Sequence, residues 1–458
     1  MMSPCRLSAL LTAGILMLAA NPARSGETPH PGAAHHTLTL AEAIELALAQ
    51  NPDLAAANAR IGEAEARVIE VASGFYPKVT ARAGYDYTNN PATAFSYIVA
   101  QRRFDLTPSN FDSGVNNPGW VSNFRPEVVG TINLFRGGQD SYMKKAAELG
   151  VETAALEHAA TRNRLAAAVT AAYFAALSAP KQADVAHRSL VSVNKELDLT
   201  RTRVNEGTAL RGDALSLEVR ARAAQESELQ ARNAITLSRS ALKTLIGETS
   251  GDELPSPHEA EVPIPNLKDS LKQLFDQALG QRPEIQAASH QAQIRQHELD
   301  AAEGAHLPRV NAYAMYGSNS QTLDPSSYKG NAAIGVNAEM DLFAGGSISA
   351  RVTAAERRLA EAQALEQKTR LEVENEVRQA FSTLEQALER VKVAEAGAAS
   401  AEEALRLVNE QYHGGTATVT RYLEAETDRA SASMRSIVAR YEAQVAEAEL
   451  HKAIGHWR

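Results

Sequence analysis

The chain repeats itself. ALAQNPDL, from Ala47 to Leu54, returns as QALGQRPEI, which sets Pro52 against Pro283 at an offset of 231. YPKV at Tyr76 returns as LPRV at Leu307 with the same offset. NLFRGG at Asn133 and EGTALRGDAL at Glu206 return as DLFAGG at Asp341 and GGTATVTRYL at Gly414, now 208 residues on. The chain is therefore a tandem duplication of one unit, and any fold it adopts must contain that unit twice. The offset drops by 23 between the second and third pairs, so copy one carries 23 extra residues, within Thr88 to Ser122.

Proline, which removes a backbone donor and breaks helix interiors, punctuates both copies alike. None occurs from Glu127 to Ala179, from Lys181 to Leu254, or from Ser326 to Arg458, and these stretches are rich in Ala, Glu, Arg, Gln and Leu, the good helix formers. Each copy reads helix, extended pair, long helix, tight turn, shorter helix. In copy one, Thr39 and Glu42 are spaced as a capping box, and Asn51 with Pro52 open a helix to Ser73. One kinked helix is expected from Asp140 through Pro180 to Asn205, then a shorter one from Asp213 to Ile246. Copy two repeats this as Pro283 to Glu303, Ser347 to Tyr412 and Thr420 to Ile454. The long helix would measure about 100 Å, against a radius of gyration near 22 Å for a compact domain of this length. An elongated molecule follows.

Between first and long helix the period changes to two. Val79, Ala81, Ala83, Tyr85 and Tyr87 alternate with Lys78, Thr80, Arg82 and Asp86; Val310, Ala312, Ala314 and Tyr316 alternate with Arg309, Asn311 and Tyr313. The return segments run Phe124, Pro126, Val128, Ile132, Leu134 and Ile334, Val336, Ala338, Met340, Leu342 on the apolar face. These are four strands of about ten residues, enough to cross a bilayer at a tilt. Four strands alone would expose two unpaired edges to lipid, so several chains must share a closed barrel. Counting does not choose between two, three and four chains.

Heptad seams agree with an assembly of helices. Ala183, Ala186, Leu190, Val193, Leu197, Thr200 and Val204 form one; Val391, Ala394, Ala398, Ala401, Leu405, Val408 and Tyr412 form its counterpart. Such a seam alone describes a soluble coiled coil, and the tandem strands argue otherwise. The only continuous apolar run, Leu7 to Ala20, is too short for a transmembrane helix and follows Arg6 as a secretory signal does, so residues 1–25 are expected to be a signal peptide. The single cysteine, Cys5, falls inside it, leaving the mature chain without thiol or disulfide. A net charge of −9 argues against nucleic acid as a partner.

The duplicated unit, the NPDL and RPEI helix starts, the YPKV and LPRV strand starts and the NLFRGG and DLFAGG helix entries together resemble the TolC family of bacterial outer-membrane channels, or outer membrane efflux proteins. The resemblance implies residues 38–247 as repeat one, 248–267 as a linker that belts the middle of the tunnel, and 268–458 as repeat two. It implies a mainly α fold with β: a homotrimer joining a twelve-stranded barrel in outer-membrane lipid to a long α-helical barrel across the periplasm. That trimer would be an exit duct for efflux or type I secretion, docked on a periplasmic adaptor and an inner-membrane transporter of the RND or ABC class.

In the family the turns between long and short helices form the periplasmic tip, here Arg203 to Asp213 and Gln411 to Arg421, with Gly207, Thr208, Gly415 and Thr416 as the adaptor-docking positions. A helix reversal asks for glycine in any case. The resemblance assigns a gate to Tyr412 and Asp213, where a phenol donating to a carboxylate would make a charge-assisted latch, and to Arg421 and Glu424. Arg421 replaces an acidic residue of the family pattern, which removes the basis for a purely acidic ring. The insert, with Asn89-Asn90-Pro91 and Phe95, Tyr97, Phe104, Phe111 and Trp120, reads as an outward-facing packed loop.

Catalytic signatures are missing. No phosphate loop, GxSxG elbow, HExxH or cysteine cluster occurs, and Glu303 with His306 is half of one di-iron ligand set at most. His35 and His36 read as bystanders. No enzyme activity, cofactor or metal is expected. The rival to a duct is a trimeric coiled-coil surface or structural protein of the envelope, which would want one unbroken stalk instead of strands inserted twice.

Overall fold

The computed structural model describes residues 37–105, 115–248, 256–258, 263–323 and 329–457. The signal-peptide reading, Cys5, His35, His36, Phe111 and part of the linker lie outside the described residues.

The first repeat opens with β1 (Thr37–Leu38), α1 (Leu40–Gln50) and α2 (Pro52–Ala72). Thr39 and Glu42 form the reciprocal capping box, and the Asn51 side chain accepts from the Asp53 amide with Pro52 at the first helical position. Then come β2 (Lys78–Thr88), α3 (Pro91–Ala100), β3 (Val121–Arg136), α4 (Gln139–Asn205) and α5 (Arg211–Ile246). After β4 (Ser256–Pro257), the second repeat runs α6 (Leu271–Gln281), α7 (Pro283–Glu303), β5 (Arg309–Asn319), β6 (Lys329–Glu339), α8 (Ser347–His413) and α9 (Val419–Ile454). The long helices α4 and α8 have 67 residues each and the short ones α5 and α9 have 36 each, so the duplication is preserved to the residue.

Four of the strands form one antiparallel sheet in the order β2-β3-β5-β6. Its faces separate as the alternation requires: Ala81, Val128 and Tyr316 lie in one cross-strand row, and Tyr316 continues to Ala332. The opposite face carries Arg82 paired with Glu127. Pro126, which cannot donate, sits in a gap of the β3–β5 ladder between the Phe124–Ser320 bridge and the Glu127–Gly317 pair. A bulge between Asn133 and Phe135 lets β3 continue to Arg136. The matching segment of copy two does not continue. β6 stops at Glu339, leaving Leu342 and Phe343 about nine-tenths exposed, because β6 is an edge and no strand among the described residues lies on its far side to extend the ladder.

The helices follow the same order. α4 packs against α2, α5, α7 and α9, and α8 packs against α7 and α9. The helices thus form an arc, α2-α4-α7-α8 next to the sheet and α5-α4-α9-α8 farther away, with α2 and α5 at one end and α8 at the other. Burial tracks position in the arc: Ala183, Ala186, Val193, Leu197 and Thr200 of the α4 seam are buried, whereas on the α8 seam only Val391 and Val408 are. The parallel pair β1–β4 and the Gln444 side chain, which donates to the Pro263 carbonyl at 2.6 Å, hold the described parts of the linker against the helices. Among the described residues no helix is long and apolar enough to cross a membrane.

Candidate functional site

The end of the helices remote from the sheet carries the two turns singled out in the sequence. They are built alike. Gly207 and Gly415 adopt φ of 76° and 75°, and Thr208 and Thr416 donate their amides to the carbonyls of Arg203 and Gln411, at 2.8 and 2.9 Å. Each threonine hydroxyl donates to the same carbonyl, at 3.1 and 3.0 Å. With the Gly207 and Gly415 amides donated to the Val204 and Tyr412 carbonyls at 3.0 and 3.1 Å, each turn is a Schellman reversal, which explains the Gly-Thr pairs on structural grounds. A Cβ at either glycine would meet no atom within 4 Å, so both turns present open backbone to a neighbour. Leu210, beside the first turn, is 73% exposed.

Just inside the turns, Val193, Leu197, Leu217, Val408, Val419 and Tyr422 form a small core, with a polar chain along it. The hydroxyls of Ser192 and Tyr422 lie 3.1 Å apart, the Tyr422 ring stacks on Tyr412 at 5.4 Å, and the Tyr412 hydroxyl lies 3.4 Å from Thr200 Oγ1. Buried Glu196 faces His413 at 3.8 Å. Burial raises the phenol pKa of both Tyr412 and Tyr422 above the ordinary value, against a smaller lowering by the hydrogen bonds from Thr200 and Ser192. Within the chain, then, Tyr412 partners Thr200 and Tyr422, while Asp213 sits in the first turn of α5 with its amide donated to the Leu210 carbonyl. Arg421, on the first turn of α9, and Glu424, on the second, are both exposed and pair at 3.5 Å. The Thr418 hydroxyl caps the first turn by accepting from the Arg421 amide.

Sequence reasoning missed the fully buried Glu426, which receives the Arg429 guanidinium at 2.7 Å. Their positions in copy one are Glu218 and Ala221, so the repeat carried no signal for the pair. Among the described residues no group of three His, Cys, Asp or Glu side chains is placed to hold a metal.

A family model described as outer membrane efflux protein matches residues 43–248 and 274–456, nearly the whole of both repeats. The chain belongs to the outer membrane efflux protein family. It resembles the outer membrane efflux protein BepC of Brucella suis (23% identity, 73% of this chain and 78% of that protein). It also resembles the outer membrane protein TolC of Vibrio cholerae (24% identity, 91% and 90%). The fold matches the crystal structure of the Campylobacter jejuni CmeC outer membrane channel with a TM-score of 0.76 at 19% identity, over 91% of this chain and 85% of that one. As a member of the efflux protein family, the chain resides in the outer membrane, with the sheet as its membrane part and the helices extending into the periplasm. The chain is an outer-membrane efflux or secretion channel protein.

Proposed function

We propose that three copies close into one exit duct, that the tip turns receive a periplasmic adaptor, and that an inner-membrane transporter of the RND or ABC class drives export through it. The observation that carries this is the open arc, with unpaired edges β2 and β6 and unpartnered helix ends in the same order. Inside the chain, repeat one meets repeat two through β3–β5 and α4–α7. The free ends, β6 with α8 and β2 with α2, are the same pair of surfaces displaced by one repeat. One contact illustrates the point. Gly137 approaches Gly304 so closely that a Cβ would lie 2.0 Å from its carbonyl oxygen, while the matching Gly345 has open space around it, room for a neighbour's helix end. Apolar stripes left exposed on α5 (Leu215, Val219, Leu229, Leu237) and on α8 (Leu371, Val393, Leu407) lie at the two ends of the arc.

Two copies would give eight strands, a barrel filled by its own side chains, so a duct needs at least three. Three is the number the family resemblance implies. At the tip, Tyr412 anchored on α4 and the self-neutralised Arg421–Glu424 pair support a gate set by helix packing, with little preference for ion sign.

The test follows from the register. Carrying the Val129–Met315 pair of β3 and β5 through offsets of 208 and 231 places Asn337 opposite Gly84 of the next copy. Facing Cα atoms in an antiparallel pair lie about 4.5 to 5.5 Å apart, within the range a disulfide spans. A Cβ at Gly84 meets only an Arg125 nitrogen at 3.9 Å, so there is room. Oxidising the double variant Gly84→Cys, Asn337→Cys in membranes should give covalent trimers and nothing larger. Uncrosslinked protomers, or a ladder passing three, would reject the closure.

A further inference from the structure

The extra residues of copy one contain α3, and its position gives the outer end of the sheet a second role. Asn90 caps α3 by accepting from the Thr93 amide, with Pro91 at the first helical position. One side of the helix carries buried Ala94, half-buried Tyr97 and Ile98, and then buried Gln101; the other carries exposed Ala92, Ser96 and Val99. The buried side lies on the polar face of the sheet. Gln101 Nε2 donates to the Ser122 carbonyl at 2.8 Å and to Asn123 Oδ1 at 3.0 Å, and Asn123 Nδ2 donates to Asn319 Oδ1 at 2.9 Å. Tyr97 lies against the Asp86 carboxylate. Arg102, held at φ 56°, donates to the Gly330 carbonyl at 3.3 Å. One short helix and the two residues after it thereby touch β2, β3 and β6 directly, and reach β5 through Asn123. The burial of β2 records the contact: Lys78, Thr80 and Arg82 of the polar face are exposed, whereas Gly84, Asp86 and Thr88 nearer the outer end are half-buried.

We infer that α3 is a plug on the inner wall of the channel mouth, and that three copies restrict the outer opening to small solutes. This rests on the barrel reading above, in which the polar face lines the bore. Twelve strands about 4.8 Å apart and tilted by about 40° make a ring roughly 24 Å across, backbone to backbone. Three helices about 10 Å thick standing side by side need a circle of about 22 Å, so the plugs fill most of that ring. Their exposed sides, Ala92, Ser96 and Val99, are small and uncharged, unlike the wall of Arg82, Arg125 and Glu127 below. Large molecules cross only when the helices swing off the wall, which the few ties around Gln101 and Arg102 permit.

The test separates the plug from the barrel. Thr80→Cys places a thiol on the polar face below α3, and Val79→Cys places one on the apolar face. Intact cells are exposed to a small charged maleimide and to a polymer-tethered maleimide. If the barrel reading holds, Thr80→Cys reacts with the small reagent and Val79→Cys does not; equal reaction of both overturns the barrel and the plug with it. Adding Ala94→Glu with Gln101→Ala should then raise the polymer-to-small labelling ratio at Thr80→Cys about tenfold, the population shift expected when a buried tie is lost. A ratio that stays constant while the faces still separate overturns the plug alone. Gln101→Glu, which keeps one acceptor and the helix, serves as the second variant should the double variant fail to assemble, and it should raise the same ratio; no rise again counts against the plug.

Discussion

Val128 and Val129 are adjacent on β3, and the register puts them on opposite faces. Val128 lies between Ala81 and Tyr316 in the middle of the strand, 46% exposed on the apolar face, and Val129 lies between Thr80 and Met315 on the polar one. The same change at both, Val→Arg, isolates the direction each side chain faces, since chain position, strand propensity and added bulk are shared. A guanidinium at the bilayer midplane costs about 2 to 4 kcal/mol, so Val128→Arg should lose that amount per protomer and about 6 to 12 kcal/mol in a trimer. Per protomer this corresponds to a drop of roughly 30- to 1000-fold in the assembled to unassembled ratio. Val129→Arg meets water in the bore, and its cost should stay within about 0.5 to 1 kcal/mol, as for a surface substitution. The assay is a urea titration of protein reassembled in phospholipid vesicles, reading heat-resistant oligomer and strand content together. Equal losses from the two substitutions would show that the sheet does not present one face to lipid, and the barrel argument would fall.

Three further outcomes are expected. Tyr412→Phe, which removes the hydroxyl contact with Thr200, should raise conductance in planar bilayers more than Asp213→Ala does; the reverse order would mean the gate is held at Asp213 instead. Leucine at Gly207 or Gly415 meets open space but a positive φ, so it should cost only about 1 to 2 kcal/mol, leave the trimer intact and abolish export; unimpaired export would remove the tip from adaptor docking. Because burial raises the Tyr412 and Tyr422 phenols, the stability they contribute is fully present below the ordinary tyrosine pKa of about 10 and is lost as pH rises through the higher folded values. Alkaline titration followed by phenolate absorbance should therefore place Tyr412 and Tyr422 among the late-ionising tyrosines, their share identified with the Tyr412→Phe and Tyr422→Phe variants and coinciding with increased conductance; ionisation of these two together with the exposed tyrosines would contradict this.

Most of the architecture was legible because it rests on periodicities that survive duplication. Proline spacing located the helix starts, the two-residue alternation located the sheet faces, and the offset of 208 aligned the turns. Where neighbours decide the outcome, sequence fell short. Leu342 continues the alternation of its strand, yet β6 ends at Glu339 because the ladder there needs a second strand. Tyr412 and Tyr422 stack, yet their positions in copy one are Val204 and Ala214, so the repeat carried no sign of the pair. The insert reads as a loop because Asn89-Asn90-Pro91 signals a turn. The same Asn-Pro pair opens α2 at Asn51 and Pro52, and the recurrence of Ala94, Ile98 and Gln101 behind it was the available sign of a helix.

The two long helices match in length but not in stiffness. Pro180 sits inside α4, where it has no amide to offer the Ala176 carbonyl, and its counterpart in α8 is Leu388, which keeps the bond. Around a closed ring, yielding staves would alternate with rigid ones. In the proposed ring of three copies, such a cylinder would not dilate evenly in six directions: it would deform with threefold periodicity, flexing at three points while the other three act as struts.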